Sequence, residues 1–182
     1  MVGRTAEYLA HHFWSVRHRF EFVAPTFMLE ECLEKALKSD KRPFFISDMG
    51  DNPTAGGAGD VTWTITELLK RTEFKNETGP SLIYASIPGT EVGKKAMKAG
   101  VGKRVKGEAG AQVDHRFAPP VKLDGVITSV YESPGNNEVV VKTGSISVII
   151  TEKRKGFHTE KEFTKHGLDP RNIDIVVSTL GE

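Results

Sequence analysis

The chain has 182 residues, which suits one domain or one and a half, and its 38% hydrophobic and 27% charged residues are typical of a soluble globular protein. The formal net charge of +1 gives no basic excess that would favour a nucleic-acid partner, and no stretch approaches the roughly 18 apolar residues of a membrane span. The single cysteine, Cys32, excludes an internal disulfide and the N-terminus lacks the layout of a signal peptide, so we predict a soluble, cytoplasmic protein without a membrane or nucleic-acid partner.

The first half of the chain alternates helices with short apolar strands. Residues 4–19 predict an amphipathic helix. Leu9, Phe13 and Val16 form its apolar stripe. The pattern then predicts helices over 26–38, from Val61 and over 90–99, and strands over 43–47 and 81–87. This order favours parallel strands joined by right-handed crossovers.

After Gly102 the pattern changes to β-branched runs separated by turn residues. These runs lie at 103–106, 121–132, 138–142 and 145–151 and predict an antiparallel meander. A short helix at 160–166 leads to a last apolar strand at 173–178. We therefore predict an α/β fold with a mixed sheet, in which parallel βα units are followed by an antiparallel β-meander and a final core strand. Residues 1–40 would form helices that lead into a domain over 41–182.

A glycine-rich acidic loop lies between the strand at 43–47 and the third helix. It reads Asp48-Met-Gly-Asp-Asn-Pro-Thr-Ala-Gly-Gly-Ala-Gly-Asp60 and contains no lysine or arginine. A strand, a glycine-rich loop and a helix in this order usually form a phosphate site, but the carboxylates of Asp48, Asp51 and Asp60 would repel phosphate. The loop also matches neither the phosphate-loop pattern nor the dinucleotide fingerprint. Its composition favours a cation, a substrate amine or hydrogen bonds to backbone N–H groups.

The residues of this loop admit structural and functional interpretations. Asp60 precedes Val61, where a helix N-cap would lie, and we predict that role for it. Asn52-Pro53 is typical of a turn. Three glycines permit positive φ or a close approach of the backbone: Gly56, Gly57 and Gly59. Asp51 and Asn52 either stabilise the turn or face a ligand, and the sequence leaves both roles open.

The histidines do not form a recognisable metal motif. They are His11, His12, His18, His115, His158 and His166. His-Glu-x-x-His is missing from the sequence and one cysteine excludes a thiolate-rich site, so we predict no metal and no cofactor in this chain. His115 and Arg154 are further cleft candidates, although the lysines beside Arg154 favour a solvated strand end over an anion clamp. No serine lies in a Gly-x-Ser-x-Gly motif, so the sequence indicates no activated nucleophile.

The acidic loop resembles a family signature. Asp51-Asn-Pro-Thr-Ala-Gly-Gly-Ala-Gly-Asp60 is similar to Asp-Asn-Pro-Gly-Gly-Gly-Ala-Pro-Gly-Asp in the C-terminal domain of the microcystinase C-like (MlrC) zinc metallopeptidase family. Further segments resemble the same domain: Ala99-Gly-Val-Gly102, Ile150-Thr-Glu-Lys-Arg-Lys-Gly-Phe157, Phe163 to Pro170 and the opening helix with Phe13-Trp14 and Arg17. The resemblance therefore covers nearly the whole chain.

This resemblance implies the C-terminal α/β domain of a zinc metallopeptidase or amidohydrolase, without its zinc-binding N-terminal domain. Zinc in that preceding domain would activate a water for attack on an amide carbonyl. The acidic loop would form one wall of the cleft, which makes its residues the substrate-cleft candidates: Asp48, Asp51, Asn52, Gly56, Gly57, Gly59 and Asp60. The expected partners are the N-terminal metallopeptidase domain, in the same or a separate chain, and a peptide or amide small-molecule substrate. We expect the isolated chain to be inactive.

Two other hypotheses follow from the same residues. The chain could be a stand-alone module whose loop binds a cationic or amine-bearing small molecule. It could instead be an interaction domain whose first helix docks a separate catalytic subunit, which predicts an exposed apolar patch beside Phe13 and Trp14 or a dimer that hides it. The sequence leaves a homo-oligomer open.

Overall fold

The structure is a computed structural model that describes residues 2–22 and 24–178, so residues 179–182 of the predicted domain lie outside the described part. Its helices are α1 (Val2–Val16), α2 (Leu29–Lys38), α3 (Trp63–Lys70), α4 (Thr90–Ala99) and α5 (Glu160–Thr164). Its strands are β1 (Phe44–Ser47), β2 (Leu82–Pro88), β3 (Arg104–Ala109), β4 (Val121–Tyr131), β5 (Glu138–Thr143), β6 (Ile146–Thr151) and β7 (Ile175–Ser178). Short 3-10 turns lie at Pro53–Ala55 and Thr72–Phe74.

The strands form one mixed sheet in the order β1-β7-β2-β6-β5-β4-β3. The pairs from β1 to β6 along this order are parallel, and those from β6 to β3 are antiparallel. The predicted α/β fold with a mixed sheet is therefore confirmed. β7 is the predicted final core strand, since it lies between β1 and β2 and all its residues are buried. Burial on both faces accounts for its apolar run at 175–177.

Helices cover the two faces of this sheet unequally. On one face, α2, α3 and α4 bury Leu33, Ile65 and Val92 in the main core. On the other face, Phe157 and Phe163 pack against the sheet in a smaller cluster around α5. Along α2, α3 and α4, buried apolar residues spaced three to four apart therefore fill the core, as the helical pattern predicts.

The parallel strands all end at the same edge of the sheet, which is where open α/β sheets bind ligands. β1 is followed there by the acidic loop, residues 48–60, and β6 by residues 152–159, which we call the strap. The topology thus brings two segments that are distant in sequence to the same edge. Within residues 2–22 and 24–178, no helix combines the length and apolar character that crossing a bilayer requires.

α1 contributes nothing to the core. None of its residues is buried, and Leu9, Phe13 and Trp14 are 59%, 63% and 65% exposed. The predicted helix is present but ends at Val16. The exposed apolar patch that the interaction hypothesis predicts therefore exists in the described chain.

Candidate functional site

The acidic loop is folded on itself by short backbone hydrogen bonds. The N–H groups of Ala55 and Gly57 both donate to the carbonyl of Asn52, at 3.1 and 2.8 Å. Gly57 lies so close to the preceding turn that a Cβ there would come within 2.7 Å of the backbone of Asp51. Gly59 has a φ of 68°, a left-handed conformation that favours glycine. The glycines therefore permit a turn that larger residues would block.

Asp51 fastens the end of this turn. Its Oδ1 accepts a hydrogen bond from the N–H of Gly59 and its Oδ2 one from the N–H of Val61, each at 2.7 Å. The side chain is buried, at 6% exposure. Both carboxylate oxygens are thus engaged by backbone N–H groups at the end of the loop and just after it, which favours the turn-stabilising role that the sequence left open for Asp51.

The predicted N-cap role of Asp60 is wrong. α3 begins at Trp63, two residues further on than predicted, and Asp60 faces the chain beyond β3 instead. Its Oδ2 accepts from the N–H groups of Gln112 and Val113 at 2.7 and 2.6 Å, and its Oδ1 from that of Asp114 at 3.1 Å. Consecutive N–H groups that converge in this way form an anion-binding nest, and here the nest takes both oxygens of the Asp60 carboxylate.

Asp48 lies at the border of the loop and is half-buried. Its Oδ2 accepts from the hydroxyl of Thr64 at 2.5 Å and its Oδ1 from the N–H of Gly50 at 3.1 Å. Burial, followed by the charges of Asp48 and Asp51, raises the pKa of the Tyr84 phenol above its ordinary value of 10. Tyr84 beneath the loop therefore stays neutral.

Arg154, from the strap, holds the loop from outside. Its Nη1 donates to the carbonyls of Gly57 and Ala58, at 3.3 and 2.9 Å. The interpretation of this residue as a solvated strand end is therefore incomplete, because the side chain is exposed but bonded to the loop. These contacts also do not support a role for Arg154 as an anion clamp, since both of its partners are backbone carbonyls.

The segment after β3 supplies the far side of the site. Arg116 forms an ion pair with Asp114 at 2.5 Å, and its hydrogen bonds lower the pKa of that carboxyl to about 2. His115 is exposed, and its charge is only a minor cause of this lowering beside the contacts of Arg116. Asp114 therefore pairs with the following arginine rather than acting with the neighbouring histidine.

A cavity of about 860 Å³ lies between the acidic loop, the start of α3 and this segment. Its lining includes the predicted residues Asp48, Asp51, Gly56, Gly57 and Arg154. Asn52, Gly59, Asp60 and His115 are not part of that lining. The lining also includes residues that the sequence pattern does not indicate: Trp63, Thr64, Arg116 and Phe117. Trp63 and Phe117 are 43% and 66% exposed, and large aromatic residues beside turns were the signal that could have found them.

A second cavity, of about 850 Å³, lies beside α5. Phe45, Phe157 and Phe163 line it together with two arginines, Arg42 and Arg171. None of the predicted site residues borders it. We therefore take the cavity beside the acidic loop as the candidate site.

The carboxylates of the loop do not assemble into a metal centre. Across the part of the chain that the structure describes, no group of three or more His, Cys, Asp or Glu side chains is placed to hold a metal ion. Asp51 and Asp60 direct their oxygens at backbone N–H groups, as described above. These residues thus fit structural acceptors and do not fit a zinc site.

Comparisons with known proteins give a family and a fold. A sequence profile described as "MlrC C-terminus" matches residues 46–181. A crystal structure of a protein named "Putative metallopeptidase", from Mesorhizobium sp. BNC1, has a TM-score of 0.72 and 17% sequence identity to this chain. The match covers 94% of this chain but 35% of that protein, so this chain spans about a third of its length. No curated protein matches.

Proposed function

This chain belongs to the MlrC C-terminus family, and on that premise we propose that it forms one wall of the active cleft of a zinc metallopeptidase or amidohydrolase. The family match confirms the resemblance drawn from the loop sequence. The observation that carries the proposal is the cavity beside the acidic loop, at the edge of the sheet where the parallel strands end. A cavity at this edge is the usual ligand position of an α/β sheet.

The wall offers groups suited to an amide substrate. Arg154 uses Nη1 to bond the loop, and its remaining N–H groups can donate to a substrate carbonyl. Asp48 can accept a hydrogen bond from a substrate N–H or amine. Trp63 and Phe117 provide apolar surface for the rest of the molecule. In this proposal Asp51 keeps the wall rigid and does not contact substrate.

The metal in this proposal comes from outside the chain. Zinc bound by the N-terminal domain of the intact enzyme would supply the Lewis acid for amide hydrolysis. For the isolated chain we predict no hydrolysis and no tight zinc binding, because the carboxylates of Asp51 and Asp60 are committed to backbone N–H groups. Stoichiometric zinc with sub-micromolar affinity in a metal assay of this chain would contradict the prediction.

A reconstitution experiment tests the cleft. The chain is joined to an N-terminal MlrC domain, and amide hydrolysis is compared for the wild type, Asp48→Asn, Trp63→Ala and Phe45→Ala. We expect the first two substitutions to lower kcat/KM by about tenfold or more, because each removes a contact at the cleft. Phe45→Ala is the control, since Phe45 is an exposed aromatic residue at the second cavity, at 59% exposure against 43% for Trp63. An equal loss in all three variants would overturn the proposal.

A second candidate function is a stand-alone module that binds a cationic or amine-bearing small molecule. It is favoured by the carboxylate of Asp48, which lines the same cavity as the exposed indole of Trp63. A carboxylate and an indole together suit an organic cation. Titration with tetramethylammonium, followed by Trp63 fluorescence in a Trp14→Phe background, should give a saturable change that Asp48→Asn abolishes. Sodium acetate, which contains no organic cation, is the control and should give no such saturable change.

A further inference from the structure

A buried carboxylate lies behind the strap, away from the cavity. Glu138, at the start of β5, is 2% exposed. Its Oε1 accepts from the ammonium groups of Lys155 and Lys165, at 2.9 and 2.7 Å, and its Oε2 lies 2.9 Å from Nε2 of His166. The other ring nitrogen of His166 lies 3.1 Å from the hydroxyl of Ser129. Each oxygen of this buried charge is therefore hydrogen-bonded.

The charge of Glu138 is held firmly in this cluster. Burial raises the pKa of Glu138, but the hydrogen bonds from His166, Lys165 and Lys155 outweigh it and lower the pKa to about 2. Removing one partner from a buried ion pair is costly because it leaves the other charge uncompensated. Lys155 is consequently fixed at its ammonium end.

The backbone of the strap is fixed at the same place. The carbonyl of Lys155 accepts a hydrogen bond from the hydroxyl of Ser86 at 2.8 Å. The N–H of Lys153 donates to Oδ1 of Asn136 at 2.8 Å. Arg154 stands between these two anchored residues and points the other way, to the carbonyls of Gly57 and Ala58. The strap thus connects the buried cluster to the acidic loop through adjacent residues.

We propose that Glu138 is a positioning residue for the acidic loop: it anchors Lys155 so that Arg154 holds the turn that Asp51 closes. Lys165 and His166 bind the same carboxylate from the end of α5, but they do not adjoin Arg154. We call this connection from Glu138 through Lys155 to Arg154 the brace. Its effect on substrate binding rests on the proposed function. The brace itself does not, because it lies entirely within this chain.

Amide hydrogen exchange of the 182-residue chain tests this brace, with the N–H groups of Gly59 and Val61 as the reporters. Lys155→Met and Lys165→Met form a matched pair, since each removes one ammonium from the same oxygen of Glu138. We expect exchange at both reporters to be about tenfold faster in Lys155→Met and nearly unchanged in Lys165→Met. Arg154→Ala should reproduce the faster exchange, and Lys155→Arg should restore protection.

Equal exchange at the reporters in the two lysine variants would overturn the proposal, as would wild-type protection in Arg154→Ala. If Lys155→Met does not fold, Ser86→Ala is the second variant, because it removes only the hydroxyl that holds the strap carbonyl. It should speed exchange at Gly59 and Val61 while the core amides of β2 stay protected. These measurements need no zinc and no substrate, so their failure is distinguishable from failure of the proposed function.

Discussion

At the scale of single residues, the acidic loop shows how one residue type takes different roles. The composition of the loop predicts acceptors of hydrogen bonds, but not which N–H groups each carboxylate will meet. Asp51 bonds within the loop, whereas Asp60 reaches residues 112–114, which are brought close only by the sheet. A helix cap at Asp60 is the role that the neighbouring sequence predicts. The observed contact with the nest beyond β3 is long-range, and no local sequence pattern could reveal it.

Gly57 gives the first residue-scale prediction. Gly57→Ala would place a Cβ within 2.7 Å of the Asp51 backbone and 2.8 Å of the Asn52 backbone. We expect it to lower the free energy of unfolding by about 1–3 kcal/mol, the usual cost of overpacking. Denaturant unfolding measures the change. Gly93→Ala in α4 is the control, since nothing lies within 4 Å of its Cβ position, and a loss as large there would refute the steric argument.

Asp60 gives the second prediction at this scale. Asp60→Asn replaces one acceptor oxygen by an amide donor that faces backbone N–H groups, and we expect a loss of about 1–3 kcal/mol in the free energy of unfolding. Asp48→Asn, in the same loop but half-buried and at the cavity, should cost less. Thermal and denaturant unfolding of the two variants provide the comparison. The structural role assigned to Asp60 fails if the two losses are equal.

At the scale of elements, most of the fold could be predicted because its strands are apolar or alternate regularly. The strand over 173–178 and the meander after Gly102 were found from pattern alone. The start of α3 was not, because the polar residues before it bond elsewhere: the hydroxyl of Thr62 donates to the carbonyl of Pro119 at 2.6 Å. The cluster around Glu138 was also missed, since its members come from separate elements.

This cluster predicts an acid-dependent stability. The pKa of Glu138 is lowered from 4.5 to about 2 in the folded chain, so on acidification the unfolded chain takes up the proton first. The stabilisation is present above the unfolded value and is lost as the pH falls towards about 2. By this linkage Glu138 contributes up to about 3 kcal/mol.

Denaturant unfolding at about pH 5 and about pH 3 measures this contribution. Glu138→Gln should be less stable than the wild type at the higher pH and should approach it at the lower one. Glu160→Gln removes an exposed carboxylate paired with Arg171 and serves as the control. A wild-type pH dependence in Glu138→Gln would show that other groups govern the acid response.

At the scale of the whole molecule, α1 differs from the other helices because it buries none of its residues. It is amphipathic, yet within the described residues its apolar side chains stay exposed. The ring of Phe13 packs against that of Phe20, at 5.2 Å between centroids. The structural neighbour from Mesorhizobium sp. BNC1 has nearly three times the length that this chain covers. A partner surface for α1, in another domain or subunit, is consistent with the proposed function and with the interaction hypothesis.

Deleting residues 2–16 tests this view of α1. Because the helix buries none of its residues, we expect the free energy of unfolding of the remaining chain to change by less than about 0.5 kcal/mol. Leu33→Ala in α2 is the comparison, since Leu33 is fully buried and its truncation should cost about 2–5 kcal/mol. Denaturant unfolding reports both changes. If the deletion lowers the free energy of unfolding as much as Leu33→Ala does, α1 packs on this domain and its apolar stripe is not a surface for a partner.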